Sequence, residues 1–515
     1  PFWPSVRRAF SGAPHPPRLQ QSVKVMASLE NKFAESEVGV DLSADAWTST
    51  GSSDGTPDST DQRKRGLYQP DLKPGAVDEQ GLYRNCFGRA GKELSTEIIV
   101  RSGALRDLRR FAKAIVPAQS HSAMNFLVTD TVVDPIYGEL VLEGLREAGL
   151  SVHRILVPAD TADASGESTG EPHKNTSVLM RCCDEVIGNG VSKYSCVISL
   201  GGGVVNNLSG VVASMVYRGI GLVHITTTSM GMLDASIDFK QAVNHPFGKN
   251  LLGCYYPASV ILMDPEALAT LSERHVLNGI AEALKHGLAQ SAALVEQIVG
   301  PLRERGSAAL RDPEYLEQVC KASIEIKCPT LDYYHDSDYN EMVPQYGHAV
   351  GHAVEHLSWS GPEHRPLLHG EAVAVGMCVS AEIARLLGLC DDRCVDEHYE
   401  AILACGLPAY VPATISPAAI RKKIMFDKHF VKRPSMGLPA SLGSLAPCDG
   451  GESYAWAIED EVLAAALVAN TSRCLGVQAP PPKAGGAPAR GLRLAGDFNT
   501  AAASNSETAV GDCGC

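Results

Sequence analysis

Three histidines, one glutamate and a set of lysines are the residues of this chain whose types and spacing could do chemistry. Gly279-Ile-Ala-Glu-Ala-Leu-Lys-His286 reads as an apolar helix. Glu282, Lys285 and His286 fall on one face of it, at i, i+3 and i+4. Tyr346-Gly-His-Ala-Val-Gly-His352 sets His348 and His352 one turn apart, and Leu368-His-Gly-Glu371 supplies His369. Two histidines one turn apart serve as readily on a surface as in a chelate. With Glu282 and His369 beside small and apolar residues, they form a carboxylate-and-imidazole set suited to a catalytic divalent metal such as zinc. Such a set leaves positions open for a ligand. Spacing leaves open which two of His348, His352 and His369 would ligate.

A second group is Lys240-Gln-Ala-Val-Asn-His-Pro-Phe-Gly-Lys-Asn250, which interleaves Lys240, Lys249 and Asn250 with turn residues. On an acidic protein this reads as an anion pocket for phosphate or carboxylate. Alone, it would be a solvated polar loop. Arg218 and Lys327 would add positive charge. A third feature is Cys196-Val-Ile-Ser-Leu200 running into Gly201-Gly-Gly203 and an apolar helix from Leu208 to Tyr217. Strand, glycine turn and helix bring backbone N–H groups and a helix N-terminus to a phosphate, where a Cβ would stand in the way. The turn is not the G-x-G-x-x-G fingerprint. Glu171 is a candidate for ribose hydroxyls, though alone it is a loop carboxylate.

The elements that must position these groups change character along the chain. Strand patterns at Glu97–Arg101, Ala123–Asp130, Ser151–Val157, Cys196–Leu200, Leu222–Ile225 and Val260–Met263 alternate with helical patterns at Pro135–Ala148 and Val178–Ile187. That alternation predicts a parallel α/β sheet. After Pro265 helical stretches dominate, over roughly 265–300, 313–331, 346–357, 369–388 and 393–405. The expected division is a nucleotide-binding-type α/β domain over 83–265 and a helical domain over 266–474, with a ligand cleft between them.

The chain has 515 residues and a net charge of −14, which argues against a general nucleic-acid-coating role. Its apolar runs, such as Val462 to Ala469, are too short to span a bilayer. The 15 cysteines are irregularly spaced and read as reduced thiols of an intracellular protein. Residues 1–29 carry Arg7, Arg8, Arg18 and Lys24 and no acid before Glu30. They read either as an organelle transit segment or as translated leader ahead of Met26. The compartment is therefore cytoplasm or an organelle. Residues 36–80 read as linker and 475–515 as a disordered tail.

From about Phe126 to Leu387 the chain resembles the dehydroquinate synthase superfamily of sugar-phosphate cyclases. The matching segments are Gly201–Val204, Thr227–Asp234, Lys240–Asn250, Gly279–Gly287, Gly347–Glu355 and Leu368–Met377. The resemblance implies a Rossmann-like parallel-sheet NAD domain, a C-terminal all-helical metal-binding domain, and a homodimer. It implies zinc or cobalt on Glu282, His348 and His369. It implies NAD contacts at Asp130, Glu171, Lys174, Gly201, Gly202, Gly203, Thr227, Thr228 and Asp234. Substrate and phosphate contacts would fall on Arg218, Lys240, Lys249, Asn250, Lys285, Lys327, Gln345, His352 and Lys428, with Lys240, Lys285, His352 and Glu341 in the chemistry. The reaction implied is transient oxidation by NAD, phosphate elimination, re-reduction and intramolecular aldol closure, with no net redox change.

Departures narrow the resemblance. Dehydroquinate synthases carry an Arg where this chain has Glu341, and that Arg meets a substrate carboxylate. They carry Asn at Gln345, Gly-Gly at Asp238-Phe239, and Asp at Asn207. The late Asp-Lys-Lys segment stands here as Asp427-Lys428-His429. Asn207, Leu233-Asp234 with Lys240-Gln-Ala-Val-Asn244 after five residues, and Tyr346-Gly-His-Ala-Val-Gly-His352 look more like the 2-deoxy-scyllo-inosose synthases, which cyclise glucose 6-phosphate. A carboxylate at Glu341 would repel an acid substrate and accept hydrogen bonds from sugar hydroxyls. Sedoheptulose 7-phosphate is a further substrate candidate. The rival readings are a dehydroquinate synthase, a metal-dependent alcohol dehydrogenase, which would leave the Lys240–Asn250 pocket without a purpose, and a binding protein without catalysis, which would not need the intact metal and lysine sets.

Overall fold

A computed structural model describes residues 77, 81–89, 92–160, 170–246, 248–331, 338–359, 366–425, 433–451 and 453–476. Lys428, nearly all of the expected leader and linker, and the tail beyond 476 lie outside the described residues. The strands are β1 (Leu82–Arg89), β2 (Lys92–Val100), β3 (Met124–Asp130), β4 (Ser151–Val157), β5 (Cys196–Gly201), β6 (Gly221–Thr226), β7 (Lys240–His245), β8 (Gly248–Tyr255) and β9 (Val260–Met263). Among the described residues the α-helices are α1 (Leu108–Ile115), α2 (Glu139–Glu147), α3 (Thr176–Gly188), α4 (Gly203–Met215), α5 (Glu273–Gln290), α6 (Ala292–Arg305), α7 (Pro313–Lys327), α8 (Tyr339–Met342), α9 (His348–Ser358), α10 (His369–Leu386), α11 (Asp392–Ala404), α12 (Pro417–Ile424) and α13 (Asp460–Cys474).

Seven strands form one sheet in the order β1-β2-β9-β6-β5-β3-β4. Every pair is parallel except β1 with β2. Every residue of β5 and β9 is buried, as expected for parallel strands covered on both faces. The chain leaves β3 for β4 on one side and leaves β5 for β6 on the other. The topological switch point therefore lies between β3 and β5, the usual ligand crevice of such sheets. Asp130 ends β3 and Gly201 ends β5, so the glycine turn opens onto that crevice.

Beyond β9 the chain is almost wholly helical. The stretch expected as one helix over 265–300 is three pieces, because Ser272 and Ser291 accept hydrogen bonds from His275 and Leu294 N–H groups and start α5 and α6. The C-terminal half is not all-helical. Short strands pair Ser435–Met436 with Trp456–Ala457, and Pro439–Ser441 with Ser444–Leu445. Two- and three-residue strands are too short to show a period in sequence. Among the described residues, no helix is long and apolar enough to cross a membrane.

Helix α5 joins the two halves. It is buried almost throughout from Val276 to Ala289. A Cβ on Gly279 would lie 2.3 Å from the Ser229 carbonyl carbon, so the helix touches the loop after β6 directly. A Cβ on Gly370 would lie 2.0 Å from the Asn278 carbonyl oxygen, which brings the start of α10 against α5. These two contacts set Glu282 beside both the sheet's C-terminal edge and His369.

Candidate active site

The predicted ligand set comes together in space. Glu282 is fully buried, and its Oε1 lies 3.4 Å from His369 Nε2 and 3.9 Å from His348 Nε2. One nitrogen each from His348, His352 and His369 lie within 4.8 Å of one another. All three imidazoles are thus at the cluster, and the two measured against Glu282 are the two that the resemblance implies. Glu282 Oε1 is buried and has no hydrogen-bond partner. An orphaned carboxylate oxygen facing two imidazole nitrogens is a poor structural ending and a good fit to a divalent cation.

The surrounding contacts orient each ligand. His348 Nδ1 lies 3.1 Å from the Tyr346 carbonyl oxygen, and Gly347, at φ +74°, supplies the left-handed turn that starts α9 there. His369 Nδ1 lies 3.1 Å from Glu355 Oε2. Its helix is fixed at the first turn, where Gly370 N–H donates to Asn278 Oδ1 at 2.7 Å. Arg274 completes the anchor with two 2.7 Å bonds to the Glu371 carboxylate.

Charge in the cluster is closely balanced. Burial raises the Glu282 carboxyl, but the Lys285 ammonium above all, with His348 and His369 beside it, overcomes that and holds it well below its usual range. Lys285 Nζ donates to Glu282 Oε2 at 2.6 Å and to the Pro344 carbonyl at 2.9 Å, with 1% of its side chain exposed. Burial and the Lys285 charge drive His348 well below its ordinary value. His369 goes the other way. Burial lowers it, but its contacts with Glu282 and Glu355 raise it to about 10.

The Lys240–Asn250 segment is a hairpin, not a loop. β7 and β8 pair antiparallel, with Gln241 and Val243 buried and most of β8 exposed. Its strands carry too few apolar residues for alternation to reveal them. Lys249 Nζ lies 2.6 Å from Glu355 Oε1, which links the hairpin to the metal-type cluster. Lys240 Nζ lies 3.7 Å from Asp238 Oδ2. Lys327, at the end of α7, is buried against the Asp234 carboxylate and lies 3.0 Å from Asp238 Oδ1. Burial opposes its charge, yet those two acids hold it above its usual value.

The expected cofactor residues line the sheet's C-terminal edge. Gly202 caps α4 without a side chain, and a Cβ there would lie 2.9 Å from Thr228 Cγ2. Thr227 N–H donates to the Gly201 carbonyl at 3.0 Å, and Gly231 N–H donates to Thr228 Oγ1 at 3.0 Å. Gly203 closes against Ala235, next to Asp234. Asp130 Oδ1 accepts the N–H groups of Val132 and Val133 at 2.9 and 2.8 Å, so that oxygen stabilises its own turn. Glu171 Oε1 accepts from Asn244 at 2.7 Å, and Lys174 Nζ donates to Asn250 Oδ1 at 2.7 Å. Both therefore brace the hairpin.

Arg218 is exposed just beyond the C-terminus of α4, at the far end of that helix from the glycine turn, with φ +62°. No described contact ties it to the lysines. Glu341 is exposed on the one-turn helix α8. Gln345 is half-buried, and its Oε1 has no hydrogen-bond partner. The reading of the sequence did not single out Glu355, Asn278 or Arg274. Glu355 had a signal, since it falls seven residues after His348 and three after His352 on one helix face.

Comparison with known proteins agrees with this geometry. The family model described as 3-dehydroquinate synthase N-terminal matches residues 167–278, and its C-terminal counterpart matches 279–430. The 2-deoxy-scyllo-inosose synthase of Streptomyces fradiae is 32% identical over 339 residues, 66% of this chain and 71% of that protein. The 3-dehydroquinate synthase of Pelobacter propionicus is 32% identical over 336 residues, 65% of this chain and 88% of that protein. A crystal structure of 2-deoxy-scyllo-inosose synthase with carbaglucose-6-phosphate, NAD+ and Co2+ superposes with a TM-score of 0.62 at 25% identity, covering 75% of this chain and 99% of that one. The 2-epi-5-epi-valiolone synthase of Streptomyces hygroscopicus, with NAD+ and Zn2+, gives 0.61 at 28% identity, with 75% and 99% covered. The chain belongs to the 3-dehydroquinate synthase family and is an enzyme of the phosphate-eliminating cyclase kind.

Proposed function

We propose that this enzyme uses NAD and a divalent metal to convert glucose 6-phosphate into a carbocycle, as the 2-deoxy-scyllo-inosose synthases do. The observation that carries the reading is the direct joining of the Glu282–histidine cluster to the lysine hairpin, through Glu355. One centre can thereby hold both a ring hydroxyl and a phosphate. Glu282, His348 and His369 would hold the ion, which when bound polarises a ring hydroxyl and the carbonyl formed from it. The glycine turn and Thr227–Thr228 would hold NAD+, which accepts and returns a hydride.

The chain's own residues do the rest. Lys240, Lys249 and Asn250 hold the departing phosphate, with Lys174 bracing Asn250. Lys285, fixed by Glu282 and the Pro344 carbonyl, presents a fixed positive charge at the reacting carbons. His352, whose ring centroid lies 5.2 Å from that of His348, relays protons. Burial of Glu282, Lys285 and Lys327 keeps bulk water from the base of the site.

Substrate choice follows from charge. Lys285 is paired with Glu282, Lys249 with Glu355, and Lys240 and Lys327 with Asp238. Little positive charge is left for a second anionic group, which favours a neutral sugar phosphate over an acid phosphate. Glu341, where dehydroquinate synthases carry Arg, acts in the same direction. The two domains of the proposal are 83–265 and 266–474. We also propose a homodimer, because β8 presents an open strand edge with exposed Leu251, Leu252 and Tyr255.

The test supplies NAD+ with zinc or cobalt and follows phosphate release from glucose 6-phosphate, sedoheptulose 7-phosphate and the dehydroquinate precursor in parallel. Release from glucose 6-phosphate alone is the expected result. Release only from the seven-carbon acid phosphate would make the chain a dehydroquinate synthase, the activity of its Pelobacter relative, and overturn the charge argument.

A further inference from the structure

Glu355 divides its carboxylate between the two halves of the site. Its side chain is 10% exposed, with Oε2 3.1 Å from His369 Nδ1 and Oε1 2.6 Å from Lys249 Nζ. Lys249 is 53% exposed, and an ammonium on a flexible four-carbon stem does not hold one position in water unaided. A neutral imidazole has two tautomers, and a carboxylate acceptor at Nδ1 selects the one that leaves the Nε2 lone pair free. In this structure His369 Nε2 lies 3.4 Å from Glu282 Oε1, so the nitrogen that would ligate stands next to the carboxylate ligand. The remaining contacts of α10, through Asn278 and Arg274, place the His369 backbone but leave the imidazole free to turn.

We propose that Glu355 is a positioning residue that serves both sites. It fixes the His369 tautomer for metal binding, and it holds Lys249 at the edge of the same cluster for the oxyanion. This rests on Glu282, His348 and His369 being the metal ligands. It adds that metal affinity and oxyanion affinity share one carboxylate, so a single substitution weakens both.

The experiment uses the full chain loaded with zinc or cobalt, with metal affinity read by chelator competition and inorganic phosphate binding by calorimetry. Glu355→Gln keeps the shape and removes the charge. Its metal affinity should fall roughly 10- to 100-fold, the usual effect of losing an outer carboxylate. Its phosphate affinity should also fall, while the melting temperature of the metal-free protein stays near that of the parent. A second measurement needs no substitution: nitrogen NMR of histidine-labelled, zinc-loaded parent should show His369 as the Nδ1–H tautomer. Unchanged metal affinity in Glu355→Gln, or an Nε2–H tautomer, would overturn the role of Glu355 alone. A parent chain that takes up no metal would overturn the ligand assignment beneath it.

Discussion

Two imidazoles, one in each half of the molecule, are pushed in opposite directions. His224 lies inside the sheet on β6, with Ser199 Oγ 2.7 Å from its Nδ1 and no partner for its Nε2. Burial alone drives it down to about 3. His369 is 29% exposed and sits between Glu282 and Glu355, which raise it to about 10 against the effect of burial. The sheet neutralises its polar groups and packs around them. The helical half gathers buried charge of both signs around Glu282, whose Oε1 has no hydrogen-bond partner and faces two imidazoles. The first arrangement makes a scaffold. The second is an arrangement that a metal and a phosphate could occupy, as proposed above.

The largest expected way to break this contrast is Glu282→Ala. It removes a proposed metal ligand and leaves Lys285 buried without its carboxylate. Activity and metal content should both disappear, and stability should fall by about 3–5 kcal/mol. Retained metal, measured by atomic emission, would contradict the ligand assignment. Next is Gly279→Ala, which leaves every charge in place but drives a Cβ into the Ser229 backbone. Forcing α5 off the loop after β6 should cost about 1–3 kcal/mol. It should also lower kcat, because Glu282 moves with the helix. Denaturant unfolding and turnover measured together check both.

Gly202→Ala tests the scaffold's own binding edge. A Cβ there meets Thr228, in the turn proposed to hold NAD+. NAD+ binding should weaken about tenfold or more, with metal affinity unchanged. The smallest effect sharpens the comparison itself. Because His224 is held far below its unfolded value of 6.5, the unfolded chain binds more protons between about 3 and 6.5. The stability it contributes is complete above pH 6.5 and is lost as pH falls towards 3, by up to about 1.4 kcal/mol per pH unit. His224→Gln should flatten the acid side of a melting-temperature profile. An unchanged slope would mean that other groups set it.

Much of this was legible in the chain before any coordinates. The strand leading into Gly201-Gly-Gly203 is a short apolar run broken only by Ser199, and it is the flanking strand and helix that make the glycine turn read as a phosphate site. His348 and His352 are one turn apart, and Glu282 sits in a helix whose neighbours are small and apolar, so burial was foreseeable. The hairpin was not, because β7 and β8 are polar strands held by Glu171, Lys174 and Asn244 rather than by an alternating apolar face. Arg218 illustrates what charge and resemblance together leave open, since the fold places it exposed past the far end of α4. The pairing of Lys327 with Asp234 and Asp238 joins α7 to the segment before β7, a contact no local spacing announces.

The central claim is that one centre, built from the Glu282–histidine cluster and the lysine hairpin, eliminates phosphate with NAD recycled in place. The most direct measurement follows phosphate release and NADH absorbance in the same cuvette, with glucose 6-phosphate, catalytic NAD+ and a divalent metal. The account predicts many phosphates released per NAD+ with no accumulation of NADH. NADH rising in step with substrate, without phosphate, would contradict it and make the chain an alcohol dehydrogenase.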